Sequence, residues 1–294
     1  MGVSLPLPRG FSLVKKGGAE LLISDVYRDR LMKRGIHAPE LPFSKHTRKA
    51  KFMKGRGLVV SLPLNGKNSE RMVIRHYEHG GLLRALTKDL FLLGSRPFQE
   101  VVITEMARKA GLPTTEILAG IKRRAFWPFY RADLLSKEIP NSADFIQYLS
   151  QWGKGRREKR FGEKRNLIRQ AGRLVREMHE VGIYHADLHL KNFIVKSEGD
   201  RRRFLHIIDF DRSKVIHPLT SNKWFGNLMR LDRSAEKARL KGLPITRTDR
   251  FRFLSAYLEG DEGRQSLTKK LLKRYLSRRW RYRIGWTFEH LLYG

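Results

Sequence analysis

Two short segments carry side chains whose types and spacing suit phosphoryl transfer. Residues 185–192 read HADLHLKN, and residues 208–211 read IDFD at the end of an apolar run. Transfer of a phosphoryl group to a hydroxyl requires a carboxylate that accepts the hydroxyl proton, and oxygen ligands that hold Mg²⁺ on the nucleotide phosphates. Asp187 suits the first role, and Asn192 and Asp209 suit the second. The spacing follows the HxDxxxxN loop and later metal-binding aspartate of kinases.

Each of these side chains by itself also fits an ordinary structural role. A loop carboxylate, a turn asparagine and an aspartate at a strand end are common. Their order along the chain, loop first and strand-end aspartate second, favours catalysis. We expect His185 to brace the loop. For His189, a contact with substrate and a solvent-facing position both stay open.

Hydrophobic periodicity predicts the elements that would hold this loop. Apolar side chains recur at helical spacing between Glu163 and Val181, and Gly182 is placed to end that helix. Two strands, NFIV and RFLHIIDF, follow the loop and are joined by an EGD turn. The C-terminal half of the chain then reads as mostly helical.

The N-terminal half predicts a small antiparallel sheet with one helix. That helix begins near Pro97 and ends at Gly111, before Pro113. The predicted strands are AELLISD, GRGLVVSLPL, ERMVIRHY (after a turn at Asn65-Gly66) and two within EILAGIKRRAFWPFYRADLL. The fold class is therefore α+β, a protein-kinase-like bilobal fold. We expect a β-rich nucleotide-binding lobe over residues 1–132 and a mostly helical catalytic lobe with a basic tail over residues 133–294, joined near residues 130–140.

The third predicted strand contains VIRHY, at the place where protein kinases carry the lysine that contacts the ATP phosphates. Arg75 occupies that place, and its planar guanidinium also binds phosphates. Glu100, in the first turn of the next helix, is its expected ion-pair partner, and Glu105 is the alternative. Gly55 and Gly57 lie between predicted strands, where backbone amides would cover the phosphates. The predicted cofactors are ATP and Mg²⁺.

These motifs together resemble those of the bacterial lipopolysaccharide-core kinase family, in particular its 3-deoxy-D-manno-octulosonic acid (Kdo) kinases. The resemblance covers residues 54 to 257 and rests on GRG at 55, VIRHYEHGGLLRAL at 73, FQE and AGLPTTEILAG, YRADLL at 130, MHEVGIYHADLHLKNFIV at 178, IIDFDRSKV at 207 and NLMRLDRS at 227. That family typically reads RHYRRGG and HADLN, so Arg75 resembles a family feature, whereas Glu78, His79 and His189 depart from the family pattern.

The resemblance implies phosphorylation of a hydroxyl of Kdo, typically O4, on Kdo-lipid A at the cytoplasmic face of the bacterial inner membrane. By position it implies Asp187 as base, Asn192 and Asp209 at the metal, and Arg75 and Glu100 at the nucleotide. A lipopolysaccharide heptose kinase, a small-molecule phosphotransferase or a Rio-like protein kinase would share the same catalytic loop. No APE segment follows Asp209, which disfavours a regulated protein kinase.

Composition bounds the remaining alternatives. The chain of 294 residues has 61 Lys and Arg against 29 Asp and Glu, a net charge of +32, so we expect an anionic partner such as a membrane surface. A nucleic-acid-binding protein with a degraded kinase fold is disfavoured because the base and metal positions are complete. The chain has no cysteine, which excludes disulfides and thiolate zinc sites.

The sequence also predicts the location of the protein and the character of its C-terminal tail. We find no signal peptide and no apolar run long enough to span a membrane, so the expected location is cytoplasmic and peripheral on the inner membrane. The segment from Arg264 has apolar side chains at helical spacing among lysines and arginines. It is consistent with either a membrane-interface helix or packing on the C-terminal lobe.

Overall fold

The computed structural model describes residues 6–38, 51–53, 59–64, 70–79, 89–151, 157–199, 202–260 and 273. Statements about structure below refer to these residues. Gly55, Gly57 and the Asn65-Gly66 turn lie outside them, as does the basic tail from Arg264 except for residue 273. None of the helices in the described segments has the length and apolar character that spanning a membrane requires.

The N-terminal half forms an antiparallel sheet of eight strands. In spatial order the main path is β1-β2-β7-β8-β5-β4-β3, and β6 pairs with β8. The strands are β1 (Phe11–Lys16), β2 (Ala19–Ser24), β3 (Lys51–Met53), β4 (Val59–Pro63), β5 (Arg71–His76), β6 (Phe91–Leu92), β7 (Ile117–Arg124) and β8 (Phe129–Lys137). Because β5 lies between β4 and β8, its side chains have fixed neighbours on both edges.

Two helices accompany this sheet. The short α1 (Arg28–Lys33) buries Leu31, and α2 (Arg96–Lys109) lies against β7. Pro97 at the start of α2 has no amide hydrogen to leave unsatisfied, and its ring pre-sets a helical φ. A Cβ at Gly120 of β7 would lie 2.9 Å from Val101 Cγ2 and 3.0 Å from Pro97 O. A glycine at this position therefore allows α2 to approach the sheet closely.

The C-terminal half is mostly helical and has its own apolar core. Its helices are α3 (Phe145–Ser150), α4 (Arg157–Glu180), α5 (Ser221–Leu240) and α6 (Arg247–Tyr257). Helix α4 packs on α6, and Gly172 of α4 allows this close contact. A Cβ atom at this position would lie 2.4 Å from the Phe253 carbonyl oxygen. Gly182 follows α4 with φ +84°, a conformation that favours glycine at a helix end.

Three short ladders complete the C-terminal half and hold the HADLHLKN loop. Strand β10 (Ile183–Tyr184) precedes the loop and pairs with β13 (Lys214–Val215). A 3₁₀ turn (Leu190–Asn192) ends it, and the chain continues into β11 (Phe193–Glu198) and β12 (Arg202–Ile207). Strand β9 (Ser142–Asp144) flanks β11 on its other edge.

Most predicted elements are confirmed, with shifts at their ends. Helix α4 begins at Arg157, earlier than the predicted Glu163. The strand β1 and helix α1 were not predicted. The predicted division between residues 132 and 133 falls inside β8, which pairs with β5 as far as Lys137 and with β7 as far as Ser136. The two-lobe division stays a proposal, and the end of β8 is its natural boundary.

Candidate active site

Arg75 connects the sheet, helix α2 and the loop after β12. Its Nη2 atom lies 2.5 Å from Glu100 Oε2, and its Nη1 atom donates to Asp209 Oδ1. Burial of the guanidinium alone would lower its pKa, but the nearby carboxylates of Glu100 and Asp209 raise the pKa well above its ordinary value. The predicted Arg75–Glu100 pair is thus present, whereas the alternative, Glu105, pairs with Arg108.

The carboxylates around Arg75 have opposite pKa shifts. Burial raises the pKa of Glu100 to about 7, although Arg75 opposes the rise. Burial would also raise the pKa of Asp209, but the Arg75 guanidinium holds it below its ordinary value. Asp209 therefore stays ionised at neutral pH. Tyr77 donates its hydroxyl to Glu100 Oε2, so that oxygen accepts from two side chains.

A second arginine of α2 contacts the same loop. Arg96 Nε donates to Asp211 Oδ1 at 2.6 Å, and its Nη2 donates to Asp211 Oδ2. The guanidinium lies over the rings of Tyr77 and Phe91, at 5.2 and 4.8 Å from their centroids. The motif IDFD included Asp211, but its partner was not predicted. Nothing in local spacing pointed to Arg96, which is 115 residues away in sequence.

The loop that carries Asp187 is held by buried histidine and asparagine side chains. His185 Nδ1 accepts from the Asp187 backbone N–H at 3.2 Å, and its Nε2 donates to Ile208 O at 3.1 Å. These contacts assign the tautomer with the proton on Nε2. Burial lowers the pKa of His185, which favours this neutral form. The prediction that His185 braces the loop is in agreement with these contacts.

Asn227 of α5 fixes the same loop from the opposite side. Its Oδ1 accepts from the His185 N–H at 3.1 Å, and its Nδ2 donates to His185 O at 2.7 Å. His179 Nε2 also donates to Oδ1 at 3.1 Å, while its Nδ1 accepts from Tyr257 Oη at 2.9 Å. Asn227 is fully buried, so these bonds replace water. It begins the NLMRLDRS motif, yet its role was not predicted.

Asn192 and Asp209 lie at adjacent ends of the β11–β12 hairpin. The Ile208 N–H donates to Asn192 O at 2.9 Å, which places the two predicted metal ligands next to each other along neighbouring strands. Asn192 Nδ2 donates to Asp187 O at 2.8 Å, so its Oδ1 is the side-chain atom suited to a cation. Asp209 has φ +68°, a left-handed conformation that short polar residues tolerate.

The donor set fits Mg²⁺ with few protein ligands. Within the described residues, no group of three or more histidine, cysteine or acidic side chains is placed to hold a metal ion. One carboxylate and one amide oxygen, with nucleotide phosphates and water completing the shell, match the usual way proteins bind Mg²⁺. Asn192 and Asp209 are therefore suited to the cation, whereas His185 is committed to backbone contacts.

His189 lies beside the predicted base. Its Nε2 atom is 3.4 Å from Asp187 Oδ2. Its Nδ1 atom is buried and has no hydrogen-bond partner among the described residues. Of the two open interpretations, a position facing bulk solvent does not agree with this burial. His189 therefore faces Asp187, the predicted base.

Comparison with known proteins identifies the family of the chain. Residues 50–257, more than half of the chain, match the family described as Lipopolysaccharide kinase (Kdo/WaaP) family. A 3-deoxy-D-manno-octulosonic acid kinase of Pasteurella multocida is 30% identical over 63% of this chain and 73% of its own length. The enzyme of the same name from Vibrio cholerae is 31% identical over 63% of this chain and 73% of its own length. The one from Actinobacillus succinogenes is 28% identical over 69% of this chain and 82% of its own length.

A solved structure supports the fold. The structure titled "WaaP in complex with acyl carrier protein" superposes with a TM-score of 0.53 and 18% identity, and it covers 87% of this chain and 99% of that one. At this identity the likeness bears on the fold alone, and it confirms the predicted α+β, protein-kinase-like fold. The length of the family match and the identities above establish that the chain belongs to the lipopolysaccharide kinase (Kdo/WaaP) family.

Proposed function

We propose that this family member transfers the γ-phosphate of ATP to a hydroxyl of Kdo, at O4, on Kdo-lipid A. The relatives named above are Kdo kinases, which supports Kdo as the acceptor sugar. The observation that carries the proposal is the convergence of Arg75, Glu100 and Asp209 beside the loop of Asp187. Such a cluster combines a phosphate-binding cation, a metal-binding carboxylate and a base in one place.

Arg75 and Glu100 are the proposed nucleotide-site residues of the N-terminal lobe. The buried Glu100 carboxylate orients the guanidinium from one side, so the arginine fork is preorganised and loses little freedom when it binds phosphates. Gly55 and Gly57, outside the described residues, stay predictions as the backbone cover of the phosphates. Their role agrees with their position between β3 and β4.

Asp187 is the proposed general base. It accepts the proton of the attacking sugar hydroxyl while the oxygen–phosphorus bond forms and the bond from the γ-phosphorus to the β–γ bridging oxygen breaks, releasing ADP. His185, through its contact with the Asp187 backbone, fixes the loop, and His189 faces the Asp187 carboxylate. A base positioned in this way contributes about 10²- to 10⁴-fold to the rate.

Asn192 and Asp209 are the residues that would hold Mg²⁺. When bound, the cation supplies positive charge to the phosphate oxygens that gain charge during transfer. The contact of Asp209 with Arg75 places the protein's own cation beside the same phosphates. Asp187, through its backbone carbonyl, holds the Asn192 amide and thereby couples the base to the metal-binding side chain.

The acceptor and the charge of the chain suggest where the enzyme works. A lipid A anchor keeps the sugar at a membrane surface that carries phosphates, and a chain with a net charge of +32 is attracted to such a surface. We propose a peripheral location on the cytoplasmic face of the inner membrane, and no nucleic-acid partner.

Transfer of labelled γ-phosphate from Mg-ATP tests this function. Purified Kdo-lipid A, heptosylated core and a generic protein substrate are offered in parallel to the wild type and to Asp187→Ala. Labelling of Kdo-lipid A that is lost in the variant is expected, and analysis of the product by NMR identifies the phosphorylated oxygen. Labelling of heptose or of the protein substrate instead would reject Kdo as the acceptor.

A further inference from the structure

Four large apolar side chains lie together in solvent at one end of the N-terminal sheet. The turn between β7 and β8 exposes Phe126 by 58% and Trp127 by 77%. Strand β6 and its following residue bring Leu92 and Leu93 alongside, exposed by 62% and 63%. Leu92 pairs with Phe129 in the ladder, and the Leu93 N–H donates to Pro128 O at 3.2 Å. We call Leu92, Leu93, Phe126 and Trp127 the apolar tip.

The fold holds these side chains outward and uses their neighbours for the core. Phe91, which precedes Leu92 on β6, and its ladder partner Tyr130 of β8 are buried in one apolar cluster. Leu93 has φ +45°, a left-handed conformation that a leucine adopts only at an energetic cost. Backbone strain of this kind clusters at functional sites. The exposed position of Leu93 is therefore set by the backbone.

Exposed basic side chains flank the apolar tip along the neighbouring strands. Arg124, at the end of β7, is exposed, and its N–H donates to Gly18 O at 3.1 Å, which places the β1–β2 turn beside it; the exposed Lys16 ends β1 just before that turn. Arg131, exposed on β8, pairs with Asp89 at 2.8 Å. Aromatic and aliphatic side chains with an arginine and lysine border are the composition of surfaces that enter the interface of anionic membranes.

We propose that the apolar tip inserts into the headgroup region of an anionic lipid bilayer and so anchors the enzyme at the membrane. This inference rests on the proposed membrane-anchored acceptor and adds the surface that makes the contact. The position suits catalysis, because residues 93–96 connect the apolar tip directly to Arg96 of α2. A bilayer at the apolar tip thus lies on the side of the molecule where α2 meets the loop of Asp209.

The absence of cysteine from the sequence allows a site-specific test. Trp127→Cys and the control Leu240→Cys, at an equally apolar exposed position at the end of α5, are each labelled with an environment-sensitive fluorophore. Vesicles of phosphatidylethanolamine and phosphatidylglycerol are then added. The proposal predicts a blue shift and an intensity increase at position 127 and no change at position 240. A label at 127 that stays in water while the protein sediments with the vesicles would overturn it.

Binding and catalysis are separated by a second pair of measurements. The double variant Phe126→Ser/Trp127→Ser should bind these vesicles at least about fivefold more weakly than the wild type, because two large apolar side chains no longer leave water. Leu240→Ser should bind as the wild type does. Asp187→Ala should also bind normally, so a failed kinase assay cannot mimic a failed membrane contact.

Activity measurements complete the design. The double variant should phosphorylate a water-soluble Kdo acceptor at the wild-type rate and lose rate only on an acceptor embedded in vesicles. Equal rates on embedded acceptor would contradict the anchoring role. Gel filtration distinguishes another occupant: a wild-type dimer that becomes monomeric in the double variant, without any loss of vesicle binding, would assign the apolar tip to self-association and refute the proposal.

Discussion

Arg96 and Asp211 form a two-bond ion pair that joins the first turn of α2 to the loop of Asp209, with Arg96 Nε 2.6 Å from Asp211 Oδ1. Both side chains are mostly buried, and the guanidinium also lies over Tyr77. Arg75 makes a parallel connection, since it contacts Glu100 of α2 and Asp209 of the same loop. Two arginines thus hold α2 and the proposed metal-binding aspartate in one arrangement.

Arg96→Ala should lower kcat/KM for phosphoryl transfer by about tenfold to a hundredfold, because a small displacement of positioned groups costs that much. The effect is expected in kcat, since Arg96 positions the site and does not bind the acceptor. Steady-state kinetics with Mg-ATP measures it. Lys109→Ala is the matched control, because it removes an exposed basic side chain at the other end of the same helix.

The pairing itself is tested by reversal. Arg96→Asp combined with Asp211→Arg should recover more activity than either single change, whereas Arg96→Lys should stay impaired because an ammonium cannot make the two parallel bonds. If the double variant is no better than the worse single variant, the ion pair does not account for the effect.

Two glycines of α4 should respond to alanine with opposite signs. Gly172→Ala places a Cβ within 2.4 Å of the Phe253 carbonyl and should destabilise the protein by about 1–3 kcal/mol, since α6 must shift. Gly162→Ala meets no atom within 4 Å and should stabilise it by up to about 1 kcal/mol through helix propensity. Denaturant unfolding measures both. Equal effects at the two positions would contradict the close α4–α6 contact.

Asn227→Ala should cost about 2 kcal/mol or more of unfolding free energy, because it leaves the buried His185 N–H and C=O without their partners. Activity should fall as well, since the same bonds fix the Asp187 loop. Asn222→Ala, at the exposed start of α5, should change stability by less than about 0.5 kcal/mol. A fully stable but inactive Asn227→Ala protein would mean that Asn227 acts on catalysis alone.

His179 should make stability fall in mild acid. Burial lowers the pKa of His179 from 6.5 to about 4, so between these values the unfolded chain binds a proton that the folded protein does not. The sign of the linkage makes stability rise with pH in that window and reach its full value above pH 6.5, a contribution of about 3 kcal/mol. His179→Gln should flatten the dependence of unfolding free energy on pH between 4 and 6.5. If the pH dependence of the unfolding free energy were unchanged in His179→Gln, groups other than His179 would account for it.

Local patterns predicted the parts of the site that follow one another along the chain. The helix, loop and hairpin order placed Asp187, Asn192 and Asp209, and the strand–helix order placed Arg75 opposite Glu100. Each of those inferences needed only periodicity and motif spacing.

Such local patterns do not predict contacts between segments that are distant in sequence. Arg96 and Asp211 are 115 residues apart, and Asn227 reaches back 42 residues to His185, so no spacing rule links them. Strand β1 and the short α1 were also not predicted, because β1 has no fully buried side chain and α1 has only six residues. Tertiary packing decides short elements of this kind.

The most direct test of the account is single-turnover transfer of labelled γ-phosphate from Mg-ATP to Kdo-lipid A by the wild type and by Asp187→Ala. Thermal unfolding and nucleotide binding are measured on both proteins. The account predicts that the variant folds and binds ATP while its transfer rate falls by at least about 10²-fold. Transfer at the wild-type rate by a folded Asp187→Ala protein would contradict the proposed mechanism.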